Sequence, residues 1–474
     1  MERALKALTK QPGGSFDSFN TLPSGGDSSD FVAKLVLHAH YQVYSNFFVG
    51  EARATSILPY TKYALHHEAA YWGAAWFSCT SRRWLEGRSM RHTPQEMFFY
   101  SKCLESLRHA LSDPVTATHE STISAILHLS FPPYLPYIDR SVPTPRQSNF
   151  KTWNLLHLAT GLNVAEEHMI GLSAVVKMLG GVHNIRSAQI RRSVCFLYPV
   201  EELVQGSQLI HVWPALEPMQ QPTGLGRGIG FQYISFPETP RHTPQPAVVW
   251  AYLADMTTIL EDYASGGSRL NQSSLILDQM QYTQHSLLSL FPAADLKPEP
   301  TKEEEDDDEE SNTGHVSRHR LQYQLYEVTR LACICYANFV TYPTDYSTFP
   351  RHRLIKILLK ELENLHAANM MPQYDMHEVR LVFWATVMGA IMAVGLEPER
   401  TAFVALVGRA AVDAKATSWI EAKQIMESFL WHSPTNDADA LKLWIEVQQL
   451  GRGRTMSERL SSNNDNNRGS GSQA

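Results

Sequence analysis

Apolar residues along this chain recur mostly at spacings of three and four, and convincing period-two alternation is almost absent. That pattern predicts helices rather than strands. The most fully specified helix opens at Thr93-Pro94-Gln95-Glu96. The threonine can cap, proline suits the first turn, and a glutamate three residues on completes a capping box. Met97, Tyr100, Leu104, Leu107 and Leu111 then mark its expected apolar face, and Asp113-Pro114 ends it. A second helix is expected from about Thr118 to Leu129. Asn163 and Glu166 offer another capping pair, with Met169, Leu172, Val176 and Leu179 on one face and Gly180-Gly181 as the stop. Further helical patterns cover about 248 to 264, 272 to 290 and, with short links, about 317 to 450. Near the end, Ser418 and Glu421 open a helix whose stripe is Ala422, Ile425, Met426, Phe429 and Leu430.

Interruptions of the pattern set the organisation. Residues 1–30 and the tail 451–474 hold too few apolar side chains to offset the entropy of ordering, so both are expected to be disordered. Residues 131–150, FPPYLPYIDRSVPTPRQSNF, form a proline-rich connector that cannot hold a helix. An acidic, proline-flanked insertion at about 298–316 is expected to be disordered, held open by its own charge. Residues 206–246 are rich in proline and glycine and show no clear period, and no repeat of fixed length is present. The expected architecture is all-α: one irregular multi-helix domain over 31–450, with disordered ends and one disordered acidic insertion.

Composition fits that picture. Of 474 residues, 43% are hydrophobic, enough for a large core. The net charge is −7, but Glu303 to Glu310 contribute eight acids, and without them the chain carries about +1. A DNA-binding module shows a basic patch or stripe, and this chain has only scattered pairs such as Arg82-Arg83 and Arg191-Arg192. The five cysteines are too few and scattered for a disulfide framework, which fits a reducing compartment. The N-terminus lacks the apolar core of a secretory signal. Leu381 to Leu396 is uncharged but only 16 residues long, so a buried core helix is expected there rather than a membrane span.

No motif assembles chemistry. GLGRGIG (Gly224 to Gly230) misses the spacing of a dinucleotide fingerprint and lacks the strand and helix that must flank one, so a flexible loop is expected. His67-Glu68 does not continue into a zinc-protease motif. Cys333 and Cys335 lie one residue apart, on different sides of a helix, and are expected to be buried structural thiols. No G-x-S-x-G elbow places a serine nucleophile. We therefore assign no catalytic, cofactor-binding, metal-ligating or DNA-binding residue, expect no cofactor, and do not expect an enzyme.

Three segments carry more than generic helix. The first is YSKCLESLRHALSDP followed by ISAILHLSF. The second contains His168, Gly171-Leu172, Val175 and Leu179-Gly180-Gly181. The third runs from Leu381 to Val447: LVFWATVMGAIMAVGL, an ER-x-x-F pair, W-x-E-A-x-x-x-M-x-x-FLW and a terminal LW-x-E. In this order they resemble the fungal-specific transcription factor domain, the helical regulatory region usually found behind a zinc binuclear cluster. Leu179 stands where that family commonly has arginine. The resemblance implies a nuclear transcriptional regulator, pathway-specific and including control of secondary metabolism. Its partners would be proteins, either a DNA-binding regulator or the transcription machinery, with room for a homo- or heterodimer and no membrane. Its matching residues are core positions, so no site residue is carried over.

The family's six zinc-binding cysteines are not seen here, since the first cysteine is Cys79. Direct DNA contact by this chain is thus unsupported. Either a partner reads the DNA, or the chain is a shortened product of a longer gene. A second reading is a helical ligand-binding protein or enzyme on a related scaffold, suggested by the many histidines, among them His38, His40, His66, His67 and His168. A third is a scaffold without regulatory output.

Overall fold

The computed structural model describes residues 60–85, 92–130, 142–150, 166–187, 189–191, 193–194, 228–239, 244–265, 273–296, 318–343, 348–367 and 374–450. The expected disordered ends, the acidic insertion, Asn163 and the first part of the 131–150 connector lie outside them. Among the described residues there are helices and no strand, so the fold is all-α as the periodicity predicts. The described residues group into two compact units. One takes the described residues of Met1–Tyr137, Thr152–Met219 and Asn271–Gln281; the other takes those of Ile138–Lys151, Gln220–Leu270 and Tyr282–Ala474.

The first unit is built on α1 (Glu68–Leu85), α2 (Pro94–Leu111), the single turn α3 (Pro114–Ala117), α4 (Glu120–Leu129) and α5 (Glu166–Met178). The capping box of α2 forms as expected: Glu96 N–H donates to Thr93 Oγ1 and Thr93 N–H donates to Glu96 Oε2. Asp113 ends that helix and caps α3 with its own carboxylate. The face that α2 buries differs from the expected one. Phe99, Cys103 and Leu107 point inward, while Met97, Tyr100 and Leu104 are half-buried and Leu111 is exposed. The cause is α1, which offers Trp72 to stack on Phe99 and the Ala69 carbonyl to accept from Cys103 Sγ. A helix turns whichever ridge its neighbour can receive, and spacing alone does not choose between adjacent ridges.

In α5, Met169, Leu172 and Val176 are buried as expected, with Leu179 half-buried. Gly180 N–H bonds Lys177 O and Gly181 N–H bonds Val176 O, the paired bonds of a Schellman stop, with both glycines at positive φ.

The second unit contains α6 (Pro246–Ala264), the end of α7 (Ser273–Leu288), α8 (Ala293–Leu296), α9 (Arg318–Phe339), α10 (Thr348–Ala367), α11 (Met376–Met392), α12 (Glu399–Asp413), α13 (Trp419–Glu427) and α14 over 433–450. A 3-10 turn, Ile229–Tyr233, joins them. Its centre is α11, the uncharged run of the sequence. Every residue from Leu381 to Met392 is buried, and α9, α10, α12, α13 and the 3-10 turn all pack on it. A helix apolar all round has no face to give to water and must be enclosed. No described helix is long and apolar enough to cross a membrane. The helix stops at Met392, short of the expected Leu396. Similarly, α13 opens with the expected Ser418–Glu421 box but ends at Glu427, so Phe429 and Leu430 are buried in the turn beyond it.

The rotated face of α2 is testable by chemical denaturation. Phe99→Ala should cost about 3–5 kcal/mol, whereas Leu111→Ala should stay within about 0.5 kcal/mol.

Candidate functional site

The tryptophan-marked residues of the third sequence segment meet one another in the second unit. Trp384 on α11 donates its indole N–H to the Leu430 carbonyl, 2.9 Å away. Its ring lies 5.9 Å from Phe429. One turn further along α11, Gly389 leaves room for Phe403 of the ER-x-x-F pair. A Cβ at Gly389 would lie 2.3 Å from the Phe403 ring. Arg400 of the same pair reaches in two directions. Nη1 donates to Ala390 O near the end of α11, while Nε and Nη2 grip the Glu446 carboxylate of the terminal LW-x-E. Trp431 Nε1 and Lys423 Nζ hold the two oxygens of Asp437. These landmarks are thus one interlocking set of contacts.

The glycine-rich stretch departs from expectation. Gly224 to Arg227 lie outside the described residues, but Gly228 to Gly230 are tied down rather than a loose loop, with Gly230 buried and Ile229 exposed. Gly228 N–H bonds Phe429 O and Gly230 N–H bonds Ser428 O. Phe231 then enters an aromatic cluster, 5.3 Å from Phe429, 5.6 Å from Trp384 and 5.9 Å from Trp250. Gly230 admits this approach because a Cβ there would sit 2.6 Å from Phe429. Nothing about the turn resembles a phosphate cradle, since two of its amides are spent on protein carbonyls.

His38 and His40 lie outside the described residues, and those described histidines that the sequence singles out sit in separate small contacts. In the first unit His67 and His119 lie ring to ring at 4.6 Å, and Tyr63 donates to Glu120 Oε2 at 2.5 Å. Glu120 Oε1 accepts from Ser187 N–H, and His119 Nδ1 accepts from Ser121 N–H to cap α4. Burial first, then the neighbouring His119, His66 and Lys62, push the His67 pKa down. His168 meets Tyr100 Oη at 2.9 Å, and in the second unit His352 meets Glu399 at 2.9 Å. No group of three or more His, Cys, Asp or Glu side chains suited to a metal occurs among the described residues. Cys333 and Cys335 are fully buried on α9, as expected, and burial pushes both thiols up, away from the reactive thiolate.

Comparison with protein-family models, curated proteins and solved structures finds no match to this chain.

Two histidines give the fold an acid limit. Burial lowers His128 in the first unit and His285 in the second from 6.5 to about 3. Below pH 6.5 the unfolded chain takes up a proton at each position that the folded chain refuses. The stability each neutral ring allows is therefore full above pH 6.5 and is lost progressively as pH falls towards about 3. Replacing His128 by leucine should remove about one proton from that dependence, or about 1.4 kcal/mol per pH unit in this window. Urea unfolding of the first unit at stepped pH values reads the slope directly. An unchanged slope would contradict the assignment.

Proposed function

We propose that this chain is a fungal transcriptional regulator built on the helical regulatory domain that its three ordered segments resemble. The single observation that carries the proposal is that order: the Tyr100 to Asp113 line, then His168 to Gly181, then the tryptophan-marked block from Leu381 to Val447. The roles of these residues fit a regulatory body better than a catalyst. Gly180-Gly181 stop a helix, Trp384 and Phe429 fill a core, and Arg400 pairs with Glu446. A non-enzymatic role follows, exercised in the nucleus through protein contacts with a DNA-binding regulator or the transcription machinery, as a homo- or heterodimer. The genes controlled would be those of one pathway, secondary metabolism being the kind the resemblance favours.

Tethering tests this. Fused behind an unrelated DNA-binding module, the chain should change a reporter's output several-fold, while the purified chain alone should show no sequence-specific DNA binding at low salt. An inert fusion, together with unchanged transcripts after deletion of the gene, would leave no regulatory role.

A further inference from the structure

Helix α5 buries one side and leaves the other to water. Met169, Leu172, Val175 and Val176 are buried, and the helix packs on α4. On the opposite side Ile170 is 59% exposed and Met178 60% exposed, with Ala174 exposed between them. Single apolar residues scattered over a surface need no explanation, but these share one stripe. At 3.6 residues per turn, Glu167, Ile170, Gly171, Ala174, Lys177 and Met178 fall within about a third of the helix circumference. A Cβ added at Gly171 would meet nothing within 4 Å, so the notch in the stripe is not filled by the chain's own side chains.

The two ends of the stripe carry opposite charges. Glu167 lies near the start of α5 and Lys177 in its last turn, about 15 Å apart along the axis. Among the described residues neither forms an ion pair, Glu167 acting instead on its chain neighbour His168. The helix macrodipole favours an acid at the start and a base at the end. It does not call for isoleucine and methionine in water between them. A surface that is negative at one end, positive at the other and apolar in the middle is complementary to its own copy after a half-rotation. Presenting the same patch from both subunits is what a two-fold interface requires. With the axis midway between Glu167 and Lys177, each Glu167 meets the partner's Lys177. The same axis sets Ile170 over the partner's Ala174, a large side chain against a small one, beside the notch at Gly171.

We propose that α5 is a self-association surface, on which two copies of this chain pair antiparallel with Glu167 and Lys177 matched across the two-fold axis. A single helix of 13 residues offers less than the roughly 800 Å² per partner of a standard interface. The dimer is therefore a weak, micromolar one that forms and parts with concentration. The regulatory reading names no surface for pairing, and this face does not depend on that reading, since it would pair equally in a protein with no role in transcription.

The test is sedimentation equilibrium of the purified full chain from low micromolar to near-millimolar concentration. The wild type should pass from monomer towards dimer. Ala174→Arg, at an exposed position where arginine is a good helix former, should weaken association at least about tenfold. Glu167→Lys and Lys177→Glu should each weaken it about tenfold, because each sets like charges opposite one another. Both changes in one chain should return it to within about threefold of wild type. The two single variants mixed should associate more tightly than either alone, since each then meets its opposite. A wild type that stays monomeric throughout would overturn the proposal and leave the face to a different partner. Association unchanged by Ala174→Arg would overturn it too, as would a double variant no better than the singles. If Ala174→Arg fails to fold by circular dichroism, the charge exchange decides.

Discussion

The second unit depends on one constraint: α11 has no polar side. From Leu381 to Met392 every residue is buried, so each direction around the helix needs a covering element. Helices α9, α10 and α12 supply three, and the turn after α13 with the Gly228–Tyr233 segment closes the remainder. Each large apolar side chain enclosed this way contributes about 1.5–3 kcal/mol. Several polar groups at the two ends are answered. At the start, Asp375 caps, and the buried Glu378 returns to the Asp375 N–H and pairs with Arg318. Near the end, Arg400 takes the Ala390 carbonyl.

Local devices in this chain were legible in its sequence because both partners lie within a few residues. The boxes at Thr93–Glu96 and Ser418–Glu421 and the Gly180-Gly181 stop form where the pattern put them. The enclosure of α11 was legible too, since an uncharged helix shorter than a bilayer has only a core to enter. What the sequence concealed involves partners far along the chain. Phe99 rather than Tyr100 faces inward because Trp72 and Ala69 of α1 are there to meet it. Gly228 to Gly230 look like a loose loop until Ser428 and Phe429, some two hundred positions on, accept their amides.

The landmark residues therefore bear on function indirectly. Trp384, Gly389, Phe403, Arg400, Phe429 and Glu446 answer one another's packing and charge, so what these residues do in the structure is hold the unit together. That is consistent with the regulatory proposal, in which the helical body presents surfaces to partner proteins.

If the landmarks form one cooperative lattice around α11, their amides should open together. Native-state hydrogen exchange followed by mass spectrometry measures this, comparing wild type with Gly389→Ala, which drives a methyl into Phe403. Peptides from α11, α12 and 418–431 should exchange slowest in the unit, with one shared opening free energy, and the substitution should lower all three by the same amount. Loss of protection confined to α11, with α12 and 418–431 unchanged, would contradict the account.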